Sequence, residues 1–327
     1  MSKREHQGSE SDEKRRKIPN WLGHLRAHGY ATIPCVLSED KVKDYKTSFW
    51  DWMESFGSGI DRNNSTTWKT ENWPQSIRGL IQHYRVGHAK FVWDIRTEKE
   101  VLEVFSTIWE TEDLLVSFDG ACLAKPSHIE TTPETDSWAH LDQGPKKAGR
   151  FECVQGLMTF SEAGPDLGGL VVYKNSHALH KKFFKRFPKV EKKVGSSDWC
   201  KLEPKHRKWY FRHGAVEIQP TAPPGSIILW DSRTVHWAAR PAKSMDHCRM
   251  AVYLCYVPRN RAAKKDIEKK RTAFDERRMT SHWPAQPKLF PKQPRTYGNV
   301  EILEKFTDRP VITKADETPQ IRKLAGY

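Results

Sequence analysis

The chain has 327 residues, of which 37% are hydrophobic and 29% charged, and its formal net charge is +14 at pH 7. That apolar content suffices for one large core, while no apolar run approaches the roughly 18 residues that a membrane-spanning helix needs. The charged run MSKREHQGSESDEKRRK is not expected to be a secretory signal, and six scattered cysteines without a C-x-x-C pair speak against a zinc or disulfide framework.

The cysteines read as free thiols in a reducing compartment, so a cytoplasmic or nuclear setting is expected. The basic balance suits an anionic partner such as nucleic acid, a phosphorylated metabolite or an anionic surface, or else serves solubility alone.

In chain order, residues 1–18 lack periodicity and are expected to be a disordered tail. Its Lys14-Arg15-Arg16-Lys17 run fits a nuclear localisation signal or a solvated tail. Residues 38–56 predict an amphipathic helix. Ser38 is placed to cap it, Glu39 and Asp40 suit its positive end, and Val42, Tyr45, Phe49, Trp52, Met53 and Phe56 recur at helical spacing before Gly57. A second helix is expected from Thr97, with Thr97 and Glu100 as a capping box and Val101, Leu102, Phe105, Ile108 and Trp109 as its apolar stripe.

From about residue 113 the pattern becomes β. The runs LLVSF, ACLA, ECVQGLMTF, GLVVY, VEI, SIILW and MAVYLCYV are separated by Gly, Pro, Asn and Asp. About eight strands so punctuated predict a mainly β fold with flanking helices, a cupin-like jelly roll or double-stranded β-helix, in which strands distant in sequence become neighbours.

Residues 178–213 form an insertion rich in Lys and Arg, interleaved with Phe183, Phe184, Phe187, Trp199, Trp209, Tyr210 and Phe211. Basic groups with aromatic faces suit single-stranded nucleic acid. The other reading is an amphipathic helix whose Phe residues pack on the barrel. In either case the insertion is expected to border the substrate entrance. After Arg259 come a basic helix-like run and a Pro-rich segment, which Trp283, Leu289, Phe290 and Tyr297 are placed to anchor on the surface. From about Thr307 a tail is expected.

The residues that carry chemistry are few. His140 and Asp142 in SWAHLDQG share one face of a strand. His236 lies in LWDSRTVHWAARP, and Arg249 opens the last long apolar run. Two imidazoles and one carboxylate on one side of a metal leave the other side open, as non-haem Fe(II) oxygenases require. A bare His-x-Asp/Glu pair is weak evidence, and His128–Glu130 competes with it. Arg249 offers a planar fork for a dicarboxylate; a salt bridge to Asp246 is the alternative. Gln143 is a candidate hydrogen-bond partner behind the site or a strand-end polar residue. Trp138 and Trp237 flank two candidate ligands, and Asp231 with Arg233 is expected to form a local pair.

The motif order runs from LAKP with Lys125, through His140-x-Asp142, GGLVVYKNSH and Pro224-Gly225, to His236 and Arg249. It resembles the phytanoyl-CoA dioxygenase (PhyH-like) family of Fe(II)/2-oxoglutarate oxygenases, over roughly Gly29 to Arg259. The resemblance implies His140, Asp142 and His236 as iron ligands, Arg249 as the clamp on the far carboxylate of 2-oxoglutarate, and Lys125 near that cosubstrate. It implies a dioxygenase that consumes O₂ and 2-oxoglutarate, releases succinate and CO₂, and hydroxylates an organic substrate. Two departures stand out: YKNSH replaces the more usual Pro-Gly-Ser-His, and Ala238 replaces a hydroxyl residue found in some relatives. The expected organisation is a tail at 1–18, the oxygenase domain at 19–259 with its insertion, and an extension at 260–327. A small-molecule substrate is expected, anionic if the basic charge is used. The same chemistry on a nucleic-acid base held by the insertion, or a non-enzymatic jelly-roll binding protein, are the alternatives; the complete triad argues against the latter.

Overall fold

The computed structural model describes residues 18–126, 129, 137–195, 197–241, 248–294, 296, 298 and 300–327. The Lys14–Lys17 run, the His128–Glu130 pair, Asp246 and Tyr297 lie outside the described residues.

The chain opens with α1 (Asn20–His28), which Gly29 ends in the left-handed region at φ 82°, and β1 (Tyr30–Ile33). The first expected helix is α2 (Glu39–Glu54), where Ser38 accepts from the Lys41 N–H at 3.4 Å and Val42, Phe49, Trp52 and Met53 are buried. After β2 (Leu80–Ile81) the structure departs from the sequence reading. The helix expected from Thr97 is a pair, α3 (Lys90–Thr97) and α4 (Lys99–Trp109). Thr97 is the last residue of α3, and its hydroxyl donates back to the Trp93 carbonyl at 2.9 Å instead of capping α4. The chain breaks at Glu98, whose carboxylate is taken by Lys41 and Tyr45 of α2, both at 2.6 Å. This contact between helices overrides the local capping pattern.

Next come β3 (Leu114–Val116), β4 (Ala121–Ala124), β5 (His140–Leu141), β6 (Val154–Thr159) and β7 (Gly169–Lys174). The insertion folds as α5 (Ser176–Arg186), α6 (Pro188–Val194), β8 (Cys200–Lys201) and α7 (Pro204–Arg212). The remaining strands are β9 (Val216–Ile218), β10 (Ser226–Asp231), β11 (His236–Ala239) and β12 (Arg249–Pro258). The extension holds α8 (Lys264–Asp275), α9 (Ile302–Lys305) and α10 (Pro319–Ala325).

These strands make two antiparallel sheets. The larger runs β1-β10-β6-β12-β4-β2 with β3 beside β12, and the smaller runs β8-β5-β11-β7-β9. Leu157, Ile228, Trp230 and Ala251 of the larger sheet meet Val172 of the smaller in one apolar cluster, so the sheets pack face to face. On the outer side of the larger sheet, α2, α3 and α4 bury Phe49, Trp93 and Phe105 against Met158, Leu229 and Leu254.

The insertion covers the smaller sheet. Phe183, Phe184, Leu202 and Tyr210 pack with Leu141 and Tyr173, while Lys181, Lys182, Lys185 and Arg186 face water. This is the amphipathic-helix arrangement, and it consumes most of the aromatic faces that base stacking would need. Trp199 and Phe211 are the exceptions, at 50% and 42% exposure.

The expected tail from Thr307 is instead packed. Ile312, Ile321, Leu324 and Ala325 are buried, and Thr318 caps α10 by accepting from the Ile321 N–H. A helix of 7 residues is too short for its apolar period to stand out in the sequence. Of the residues expected to anchor the Pro-rich segment, Trp283 is buried and Phe290 half-buried, whereas Leu289 is exposed. All six cysteines are free, and all but Cys35 are buried. Among the described residues no helix is long and apolar enough to cross a membrane.

Candidate metal and cosubstrate site

Adjacent strands bring the candidate ligands together. β11 pairs with β5 so that His236 lies directly opposite His140, their ring centroids 4.3 Å apart. Asp142 sits in the bend just after β5. Its carboxylate turns toward both rings, with Oδ1 3.6 Å from His140 Nε2 and Oδ2 3.2 Å from His236 Nε2. The three candidate ligand atoms lie within 4.8 Å of one another, and all three residues are buried.

Backbone contacts set the tautomers. His140 Nδ1 lies 3.2 Å from the Trp138 carbonyl and His236 Nδ1 lies 3.0 Å from the Thr234 carbonyl. A carbonyl only accepts, so each Nδ1 carries a hydrogen, and each Nε2 is the ring atom left facing the carboxylate. Burial, followed by the neighbouring His236, pushes His140 below its ordinary range and keeps it neutral. Burial alone would raise Asp142, but His282, His140 and His236 together hold it well below the usual carboxylate range. Two imidazole nitrogens and one carboxylate oxygen aimed at one small volume are a donor set that fits Fe(II). From the facing sheet, Gln155 Nε2 donates to Asp142 Oδ2 at 3.1 Å and fixes the carboxylate.

Arg249 opens β12 in that facing sheet, paired with Ala124 of β4. It lines the same cavity of about 200 Å³ as the three candidate ligands. Its guanidinium is buried, with Nη2 donating to Cys122 Sγ at 3.3 Å. Gly169 of β7, at φ 97°, faces it across the gap; a Cβ there would touch the Arg249 side chain at 3.5 Å. Lys125 does not line this cavity. It borders an adjoining one of about 240 Å³ that shares Arg249.

Trp138 and Trp237 both line the cavity. Gln143 does not. It is a buried strut that donates to the Lys147 and Arg150 carbonyls at 2.6 and 2.8 Å and accepts from Ser232 Oγ at 2.7 Å, holding the turn after Asp142. Asp231 and Arg233 form the expected local pair, with Nε donating to Oδ1 at 2.9 Å and Nη2 to Oδ2 at 2.5 Å. Sequence reasoning missed Gln155, Trp230 and His282; Trp199, named among the aromatics of the insertion, lines the cavity. Gln155 left one signal, a polar residue inside the apolar run ECVQGLMTF; Trp230 and His282 carry none that spacing reveals.

Fold and donor set together define the class: an Fe(II)- and 2-oxoglutarate-dependent dioxygenase. The chain belongs to the phytanoyl-CoA dioxygenase (PhyH) family, whose profile matches residues 25–251. It is 33% identical over 271 residues to the Ava biosynthesis cluster protein O of Aspergillus versicolor, covering 81% of this chain and 86% of that one. A Salmonella typhimurium LT2 structure, described as an oxidoreductase, shares the fold with a TM-score of 0.61 at 12% identity, covering 94% of this chain and 82% of that one. A non-haem α-ketoglutarate-dependent carbocyclase from nogalamycin biosynthesis has a TM-score of 0.49 at 15% identity, over 72% of this chain and 82% of that one.

Proposed function

We propose that this protein hydroxylates a C–H bond of a small organic molecule, so that substrate, O₂ and 2-oxoglutarate become the alcohol, succinate and CO₂. In this reading the two facing sheets form a double-stranded β-helix, with His140, Asp142 and His236 as the iron ligands. The observation that carries it is the convergence of those three donors and Arg249 in one buried cavity, from opposite sheets. Bound Fe(II) supplies the activation of O₂ that couples 2-oxoglutarate decarboxylation to substrate oxidation.

The chain's own residues do the rest. His140 and His236 aim their Nε2 atoms at the site because their Nδ1 hydrogens are spent on backbone carbonyls. Gln155 holds the Asp142 carboxylate in place. Arg249 grips the far carboxylate of 2-oxoglutarate through its paired N–H groups, with Lys125 in the adjoining cavity adding positive charge at the same end. Trp138, Trp230 and Trp237 wall the cavity.

A small molecule fits better than nucleic acid. The only Lys or Arg among the described residues lining this cavity is Arg249, and the exposed cations of α5 do not line it. The relative named for a biosynthesis cluster supports the same choice. The test is 2-oxoglutarate affinity, measured without oxygen on the Fe(II) protein. Arg249→Ala is expected to weaken it about tenfold or more, through loss of hydrogen bonds to a charged group. Arg249→Lys, which keeps the charge without the fork, should fall between. Unchanged affinity in Arg249→Ala would remove the assignment.

A further inference from the structure

Besides the candidate ligands, the wall of the metal cavity holds three buried polar atoms without a hydrogen-bond partner: His282 Nε2, Trp230 Nε1 and Trp237 Nε1. Such atoms are rare in folded proteins and call for a water or a ligand. His282 is the most telling because of where it comes from. It lies in the extension beyond α8, within a segment held across the cavity. The Thr280 N–H donates to the Phe118 carbonyl at 3.0 Å, and the Phe118 N–H donates to Thr280 Oγ1 at 3.1 Å. The Phe290 N–H returns to the Met279 carbonyl at 3.0 Å, closing the segment into a loop. Trp283 is buried with the Lys147 ammonium 3.6 Å from its ring centroid, and Lys288 reaches Asp198 of the insertion at 3.4 Å. This strap places His282 and Phe290 in the cavity wall. His282 is not part of the donor cluster, which comprises His140, Asp142 and His236.

A second cavity of about 450 Å³ continues outward, sharing Leu80, Gln82, Trp199 and Phe290 with the first. Among the described residues no Lys, Arg, Asp or Glu lines it. At its rim Ile77 and Trp199 are each 50% exposed. Its walls combine these apolar and aromatic side chains with the polar Gln75, Ser76, Gln82 and His83. The absence of Lys and Arg among these described residues favours an uncharged guest, because a phosphate or carboxylate would lose its hydration there without a fixed cation. Flat rings gain most from aromatic walls.

Resting on the dioxygenase reading above, we infer that the C-terminal strap is part of the substrate site. His282 makes the hydrogen bond that orients a neutral, ring-bearing substrate, whose rings lie against Trp199 and Phe290. The substrate's polar group meets His282 at the inner end, and its apolar bulk extends into the outer cavity. This places substrate recognition on a segment outside the strands that supply the candidate metal ligands.

The test uses the full chain with Fe(II) and 2-oxoglutarate, without oxygen, and two probes that differ by one hydroxyl: 2-naphthol and naphthalene. Binding is read by calorimetry, and the visible charge-transfer absorption of the Fe(II)–2-oxoglutarate complex is read in parallel. His282→Ala is expected to weaken 2-naphthol about fivefold, the size of one hydrogen bond, and to leave naphthalene within about twofold. His282→Gln, which keeps a polar group, should recover most of the loss, and Phe290→Ala should weaken both probes. Failure of 2-naphthol to bind the wild type, or equal binding in wild type and His282→Ala, would overturn the inference. Absence of the charge-transfer band in the wild type would instead overturn the Fe(II)/2-oxoglutarate reading on which it rests.

Discussion

Gln155 shows how little separates a metal site from a buried ion cluster. Its amide crosses from the larger sheet to Asp142 Oδ2 at 3.1 Å, on the oxygen that faces His236. A carboxylate fixed on one side keeps its remaining lone pairs directed at the metal, whereas a free one rotates and loses that preorganisation. Gln155→Leu keeps the approximate volume and removes the donor. It should lower Fe(II) affinity about 10- to 100-fold, the usual range for such supporting groups. Competition with a chromogenic chelator measures this, and an affinity equal to wild type would show that the Asp142 carboxylate needs no support. The sequence announced Asp142 but not Gln155. The i, i+2 relation of His140 and Asp142 is local, while a hydrogen bond between sheets depends on how the sheets stack.

At the scale of elements, the extension is a structural member. In α10 the apolar residues Ile321, Leu324 and Ala325 turn inward, and Leu324 is fully buried in the main core. Truncating a buried leucine removes its transfer free energy and leaves a cavity. Leu324→Ala should therefore destabilise the protein by about 2–5 kcal/mol, read from urea unfolding. No change would mean that the helix contributes nothing to the core. The insertion teaches the opposite lesson. Its composition left open a nucleic-acid surface or an amphipathic helix packed on the barrel, and α5 takes the second form, with Phe183 and Phe184 on the smaller sheet and its lysines in water. Composition reports which residues are present, and only the helical phase decides which face they occupy.

At the scale of the whole molecule, two further histidines tie stability to pH. His88 is fully buried, and burial pushes it down to about 3. His180 is likewise driven by burial to about 4; its Nε2 hydrogen-bonds the Gln143 carbonyl at 2.8 Å while Nδ1 accepts from the Gly149 N–H at 3.3 Å. Protonating Nδ1 of His180 would cost that acceptor. Both groups have folded values below the unfolded reference of 6.5, so the unfolded chain binds protons first as pH falls. Their contribution is complete above 6.5 and is lost progressively as pH drops toward 4 and then 3. The melting temperature of the metal-free protein should therefore fall between pH 7 and pH 5, and His180→Gln should make the fall shallower. A melting temperature that stays flat over this interval would contradict the buried neutral state of both rings.

The sequence by itself determined the mainly β character, the helix over 38–56, the same-side His140–Asp142 pair and the motif order that marks the family. Each of these is written in local period or in short motifs read in order. The tertiary structure decided the rest. It set His236 opposite His140 by pairing β11 with β5 across more than ninety residues. It brought Gln155 and Arg249 from the other sheet, and it folded the C-terminal strap so that His282 reaches the same cavity. The physical reason is that strand pairing and sheet stacking are chosen by the burial of the whole chain at once. Residues that meet across the gap between sheets therefore share no spacing that the sequence displays.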